Sequence, residues 1–317
     1  MPRTIHALKM QSAANQQHVI LSGGSGMIGT ALRHAFARRK APILQLIRSK
    51  PLADDQMQWD PSRNPAIPDT APLEGSFAAI HLSGASVAGH RWTAAYQQEL
   101  ISSRVDSTRA LAMSVAQLRN PPSALLVASA TGFYGNRGDE SLNENSAPGE
   151  GFLADVCRQW EAAAQPAVDA GIRVVHMRFG IVLGPGQGVL EKMLPIFRLG
   201  LGGKLGSGGQ WISWISLADA IAAILFALDT PSLAGPVNLT SPQPVTNAEF
   251  TLALGRQLRR PAILPVPAFA VRLAFGQMAD EALLSSARVI PFRLQSTGFA
   301  FAHSTIDEAL AFALAKG

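Results

Sequence analysis

In the stretch His18-Val19-Ile20-Leu21-Ser22-Gly23-Gly24-Ser25-Gly26-Met27-Ile28-Gly29-Thr30-Ala31-Leu32, an apolar run, a set of glycines and a helical repeat follow one another without a break. Val19 to Leu21 reads as a buried strand. Ala31, Leu32, Ala35 and Phe36 recur at helical spacing. Between them lies Gly23-x-x-Gly26-x-x-Gly29. Gly23 permits a tight turn with positive φ. Gly26 lets a pyrophosphate approach the backbone, and Gly29 lets the helix pack closely on the strand. The helix N-terminus offers free N–H groups and a partial positive charge to an anion. Strand, glycine turn and helix together predict a dinucleotide site, where a bare glycine triplet would predict only a turn. No Gly-Lys-Ser/Thr follows the turn, so a P-loop is excluded.

Ile43 to Ile47 reads as a second buried strand, and Arg48-Ser49-Lys50 follows it. In dinucleotide-binding units an acidic residue about 20 positions after the glycines holds the ribose 2′-hydroxyl, whereas an arginine there accommodates a 2′-phosphate. Arg48 stands nineteen residues after Gly29. Its forked guanidinium suits a phosphate, which predicts NADP rather than NAD.

Further along, Met57 to Asp60, Phe77 to Leu82, Ala124 to Ser129 and Arg173 to Arg178 read as strands. Helices are expected over 93–119, stopped by Asn120-Pro121-Pro122, and over about 152–170, capped by Gly171. The alternation predicts an α/β fold with a doubly wound parallel sheet of the Rossmann type. Beyond Leu183 glycine- and proline-rich turns break the pattern, and Gly235 to Leu239 looks like one more strand. The expected organisation is a disordered extension over 1–17, a dinucleotide-binding domain over 18–183 that also takes in about 211–239, and a substrate-binding lobe from 184–210 and 240–317.

Composition bounds the partners. The chain has 317 residues, of which 47% are hydrophobic and 15% charged, enough for a sizeable core. No apolar run reaches the ~20 residues that span a bilayer. Cys157 is the sole cysteine, which excludes an intrachain disulfide and fits a reducing compartment, the cytoplasm. Its thiol is either reactive or a small buried apolar group. The net charge is +5, and the first acidic residue is Asp54. Aromatic and basic residues do not interleave as a nucleic-acid platform requires, so an anionic cofactor accounts better for the charge. Histidines 81, 90 and 176 lack metal-ligand spacing, and no metal is expected.

The chain resembles the extended short-chain dehydrogenase/reductases. Gly23-x-x-Gly26-x-x-Gly29 matches their cofactor turn, Ile80-His81-Leu82-Ser83-Gly84 their fourth-strand motif, Met177 to Gly186 their sixth-strand motif, and Ser213 to Asp219 a further segment. It is most similar to an epimerase-like subfamily with a C-terminal domain of unknown function. The residues that carry this are Arg91-Trp92, Ser103-Arg104-Val105, Ser129 to Gly135, Trp160-Glu161 and Pro244 to Phe250. The resemblance implies cofactor contacts at Gly23, Ser25, Gly26, Met27, Ile28, Gly29, Arg48, Leu82, Ser83, Gly84, Ser129 and Ile181. It also implies a monomer or a homodimer.

The expected catalytic pair is missing. Members of this superfamily use Tyr-x-x-x-Lys with an upstream Ser or Thr, because hydride transfer at a carbonyl carbon needs a proton at its oxygen. A free tyrosine, with pKa near ~10, needs a nearby cation to serve at neutral pH. This chain has two tyrosines, Tyr96 and Tyr134, followed four residues later by Leu100 and Gly138. Register against Trp160-Glu161 puts Phe152 and Val156 at the pair's positions. Strict register puts Ala130 at the hydroxyl position, flanked by Ser129 and Thr131. Candidate catalytic groups are therefore Ser129, Thr131 and Tyr134, with packing as the other role open to Tyr134. Glu161 either ionises in the pocket or serves the structure, and His81 and His176 read as core histidines. Two functions follow: an NADP-dependent oxidoreductase or epimerase acting on a small molecule, or a non-catalytic NADP(H) binder serving as a redox sensor or scaffold.

Overall fold

The computed structural model describes residues 18–315; the extension expected over 1–17 lies outside them. Seven parallel strands form the central sheet: β1 (Val19–Ser22), β2 (Ile43–Ile47), β3 (Gln56–Gln58), β4 (Ala78–His81), β5 (Ala124–Ala130), β6 (Arg173–Phe179) and β7 (Gly235–Leu239). Their spatial order is β7-β6-β5-β4-β1-β2-β3. Every pairing is parallel. The order in which successive strands are added reverses between β1 and β4, and at such a switch point the crevice beyond the strand ends receives ligands. The doubly wound Rossmann architecture is the one the alternation of strands and helices predicts.

Helices cover both faces, because the central strands are apolar on both sides and must be buried twice. α1 (Met27–Arg38) buries Leu32, Ala35 and Phe36 against the sheet. α2 (Ala94–Ala116) starts at Thr93, whose side chain accepts a hydrogen bond from the Tyr96 N–H. The helix expected over 152–170 is two helices. α3 (Phe152–Ala162) ends, and a short helix, Gln165–Asp169, follows. Pro166 explains the break: it lacks an N–H, and its ring clashes with the carbonyl four residues earlier.

A second hydrophobic cluster lies apart from the sheet. It joins Leu190 and Phe197 to Trp214, to Phe250 and Leu254 of α5 (Asn247–Leu258), and to Leu310 of α6 (Ile306–Leu314). Both helices begin with a capping box, Thr246 with Glu249 and Thr305 with Glu308. α4 (Leu217–Asp229) instead packs near α1, where Arg39 pairs with Asp229 at 2.9 Å.

His81 sits fully buried at the end of β4, between the Ser22 hydroxyl at 2.5 Å and the Ser107 hydroxyl at 3.0 Å. Burial pushes its pKa down from 6.5 to about 3. It is neutral in the folded protein and protonates readily only when unfolded. Its contribution to stability is therefore complete above the unfolded value and falls away as the pH drops from 6.5 towards about 3. Between about pH 7 and about pH 5 this one residue should remove about 2 kcal/mol. Urea titrations across that range should show a shallower pH slope for His81→Leu than for the native chain, whatever the variant's absolute stability. Identical slopes would refute a buried neutral imidazole.

Candidate functional site

The switch-point crevice is built from backbone first. Gly23 has φ +75°, and a Cβ there would lie 2.6 Å from the Leu82 carbonyl carbon, so the β1 and β4 ends meet without side chains between them. A Cβ on Gly29 would lie 2.2 Å from the Gly23 oxygen. Gly26 differs: a Cβ there would meet only that oxygen, at 3.7 Å. Gly26 is the N-cap of α1, with no side-chain cap and no acid in the first turn, so the helix N-terminus stands open.

A cavity of about 380 Å³ opens over this turn. Gly23, Gly26, Met27, Ile28, Gly29 and Leu82 line one side of it. Ser129 and Ala130 line the end of β5, and Val156, Cys157 and Trp160 line the α3 face. Ser25 lies exposed at the turn, and Ser83 and Gly84 continue the chain beyond Leu82. Arg48 is exposed just past β2, and its side chain makes no hydrogen bond among the described residues. Ile181 lies in a second, adjoining cavity of about 450 Å³, together with Thr131. Val87, Ala130, Gly132, Leu153 and Phe179 line both.

The α3 wall differs from the expected register by one residue. Val156 lines the crevice, but Phe152 packs edge-on against Trp92 with ring centroids 5.2 Å apart, and Leu153 takes the place at the wall. No lysine lines either cavity among the described residues.

The three candidate hydroxyls separate. Tyr134 is withdrawn as a catalytic acid. It is fully buried and lines neither cavity. Its hydroxyl donates to Asn238 Oδ1 at 2.8 Å and accepts from Arg178 Nη1 at 3.0 Å. Burial raises its pKa above the ordinary tyrosine value, against the opposing pull of Arg178. Ser129 donates to Glu161 Oε1 at 2.7 Å. Thr131 alone stands at a cavity wall with no side-chain hydrogen bond among the described residues.

Glu161 serves the structure. It receives Arg178 through two bonds, Nε to Oε1 at 2.7 Å and Nη2 to Oε2 at 2.8 Å. Ser129, Glu161, Arg178, Tyr134 and Asn238 thus form one chain of bonds across β5, α3, β6 and β7. The Cys157 thiol, pushed up to about 12 by burial and then by Glu161, is an inert group.

Sequence reasoning missed Arg104. It projects from α2 into the cofactor-side cavity, with Nη2 on the Ala85 carbonyl at 2.8 Å and Nη1 on the Leu100 carbonyl at 3.1 Å. Its guanidinium lies 5.2 Å from the Trp160 ring centre. Among the described residues no carboxylate pairs with it, and burial lowers its pKa. The available signal was an arginine on the helix face of buried Leu100, Ser107 and Leu111.

A glycine crevice at the switch point of such a sheet defines the doubly wound, nucleotide-site class of α/β proteins. Within that class, this chain belongs to the NAD dependent epimerase/dehydratase family, which it matches over residues 19–239. Residues 266–313 match a domain of unknown function, DUF1731. An epimerase family protein of Mycobacterium bovis is 45% identical over 298 residues, covering 94% of this chain and 98% of the relative. The crystal structure of human epimerase family protein SDR39U1 (isoform 2) with NADPH superposes with a TM-score of 0.86 at 32% identity, covering 94% of this chain and 99% of that one. MoeE5, solved in complex with UDP-glucuronic acid and NAD, shares the fold alone, with a TM-score of 0.69 at 20% identity over 93% and 97% of the two chains. Among the described residues, no helix is long and apolar enough to cross a membrane.

The side chains of Arg178 and Glu161 are only 4% and 12% exposed. Removing one partner strands the other charge in the interior. Glu161→Ala should therefore cost about 3–5 kcal/mol in urea unfolding. A loss below about 1 kcal/mol would mark the pair as no stronger than a surface contact.

Proposed function

We propose that this chain binds NADP(H) in the crevice over Gly26 and acts as an oxidoreductase or epimerase on a small molecule held in the adjoining cavity. The observation that carries the reading is the open α1 N-terminus beneath a cavity bounded by Gly23, Gly26 and Gly29. Backbone N–H groups there would hold the pyrophosphate. Arg48, exposed at the β2 end where an acid would select NAD, would hold the 2′-phosphate. Arg104 adds a half-buried positive charge facing the same cavity. The NADPH in the human relative's crystal supports the same choice of cofactor.

Bound there, a nicotinamide would exchange a hydride with the substrate. The chain's own part is to orient and to exclude water. Leu153, Val156 and Phe179 supply apolar wall, and Thr131 offers a hydroxyl that could hydrogen-bond a substrate oxygen. The lobe formed by 184–210 and 240–315 would close the substrate side. The buried thiol of Cys157 supports a reducing compartment such as the cytoplasm. One observation favours a second reading, a cofactor binder without turnover: the hydroxyls of Ser129 and Tyr134 are both held within the protein.

Calorimetric titration tests the cofactor claim. NADPH should bind more tightly than NADH, and Arg48→Ala should narrow that gap by about 1.5–3 kcal/mol, the scale of a charge-assisted hydrogen bond. Equal affinities in the native protein would sink the assignment. Gly26→Val should abolish NADPH binding with an unchanged melting temperature, because Gly26 has negative φ and its Cβ position meets only the Gly23 oxygen, at 3.7 Å. Native-like binding by that variant would place the dinucleotide elsewhere.

A further inference from the structure

The larger cavity has a one-sided charge. Glu150, Asp280 and Glu281 line it, and among the described residues no lysine, arginine or histidine does. Three cations beside the lining are engaged, and the exposed Lys204 lines neither cavity. Arg272 holds Asp280 at 2.9 Å, Arg288 lies over the Trp211 ring and 3.5 Å from Asp139, and Lys192 donates to the Ala88 carbonyl. Three helices begin at its wall: α5 is closed by its Thr246–Glu249 capping box, the helix Val189–Arg198 carries Glu191 in its first turn, and the α3 N-terminus is already filled. Glu281 accepts the Phe152 N–H at 3.0 Å and the Leu153 N–H at 3.2 Å. With Asp280 neutralised by Arg272 and Glu281 by the helix, Glu150 remains as a carboxylate with no side-chain partner among the described residues.

A phosphate or carboxylate entering this space would exchange water for the neighbourhood of an unpaired carboxylate, and like charges repel. The remaining lining is apolar, with Ile181, Val189, Met193, Leu205 and Phe250 among it. Five neutral polar side chains interrupt it, Thr131, Asn136, Ser213, Asn247 and Ser285; the Asn247 oxygen accepts the Leu205 N–H at 2.8 Å, which leaves its amide nitrogen for a ligand.

We propose that this cavity takes an uncharged or cationic, mainly apolar carbonyl compound and rejects nucleoside diphosphate sugars of the kind MoeE5 was solved with. The proposal rests on the cofactor reading for its choice of cavity, and it narrows the substrate class of the site.

The test is a series on one skeleton that differs only in charge: para-acetylbenzoate, para-acetylbenzamide and para-acetylphenyl-trimethylammonium, with UDP-glucose alongside. Each is titrated calorimetrically into NADPH-saturated protein and into protein without NADPH, so the charge ranking is obtained in either state. The amide and the ammonium compound should bind. The benzoate should bind at least about tenfold more weakly, and UDP-glucose should give no saturable signal. Glu150→Gln, at an exposed position, should shrink the difference between ammonium and benzoate and leave NADPH binding unchanged. Benzoate or UDP-glucose binding as tightly as the amide overturns the proposal, and so does the failure of all three acetophenones to bind. Failure of NADPH to bind faults the cofactor reading instead.

Discussion

The site depends on one close approach: the start of α1 lies so near the β1 turn that a single methyl group at Gly29 would sit 2.2 Å from the Gly23 carbonyl oxygen. That contact fixes where the helix begins and aims its N-terminus along the seam between β1 and β4. The same turn places Gly23 against the end of β4, where its left-handed φ removes the side chain that would otherwise separate the two strand ends. The central strands are apolar on both faces, so the sheet is buried by helices on either side and the crevice forms at the strand ends. At the start of α1 the backbone N–H groups are left without a side-chain cap.

A second constraint sets what the site can do. In ordinary members of the superfamily a tyrosine and a lysine on one helix face meet the substrate oxygen. Here the corresponding face of α3 is apolar towards the cavity, and the polar groups turn inward. Glu161 binds Arg178, Ser129 gives its hydroxyl to Glu161, and Tyr134 is held between Arg178 and Asn238. This buried network joins strands to helix and rigidifies the floor of the crevice, because removing any one charge would leave another unsatisfied. Thr131 and the neighbouring, largely apolar cavity stand outside this network.

Local signals made much of this legible. The apolar runs of β1, β2, β4 and β5 and the glycine spacing are properties of short segments, and the architecture follows from their alternation. The break before Pro166 could also have been read, since proline disrupts a helix wherever it falls in the interior. What the sequence concealed is long-range. The fate of Tyr134 depends on Asn238, 104 residues away. The α3 N-terminus is blocked by Glu281, 129 residues from Phe152. Arg104 is set by partners from a loop and from α3 that no local pattern unites. Phe152 was misplaced because a one-residue rotation on a helix swings a side chain by about 100°, enough to exchange it with Leu153 at the wall.

Crystals of the chain grown with NADPH test the account most directly. The account predicts the pyrophosphate over the Gly26 backbone, with the α1 N–H groups in hydrogen-bond range. It also predicts the 2′-phosphate on Arg48, the Arg104 guanidinium facing the dinucleotide, and the nicotinamide between Ala130 and the Val156 wall. A dinucleotide bound outside the β1–β4 seam, or one whose 2′-phosphate lies away from Arg48, would contradict it.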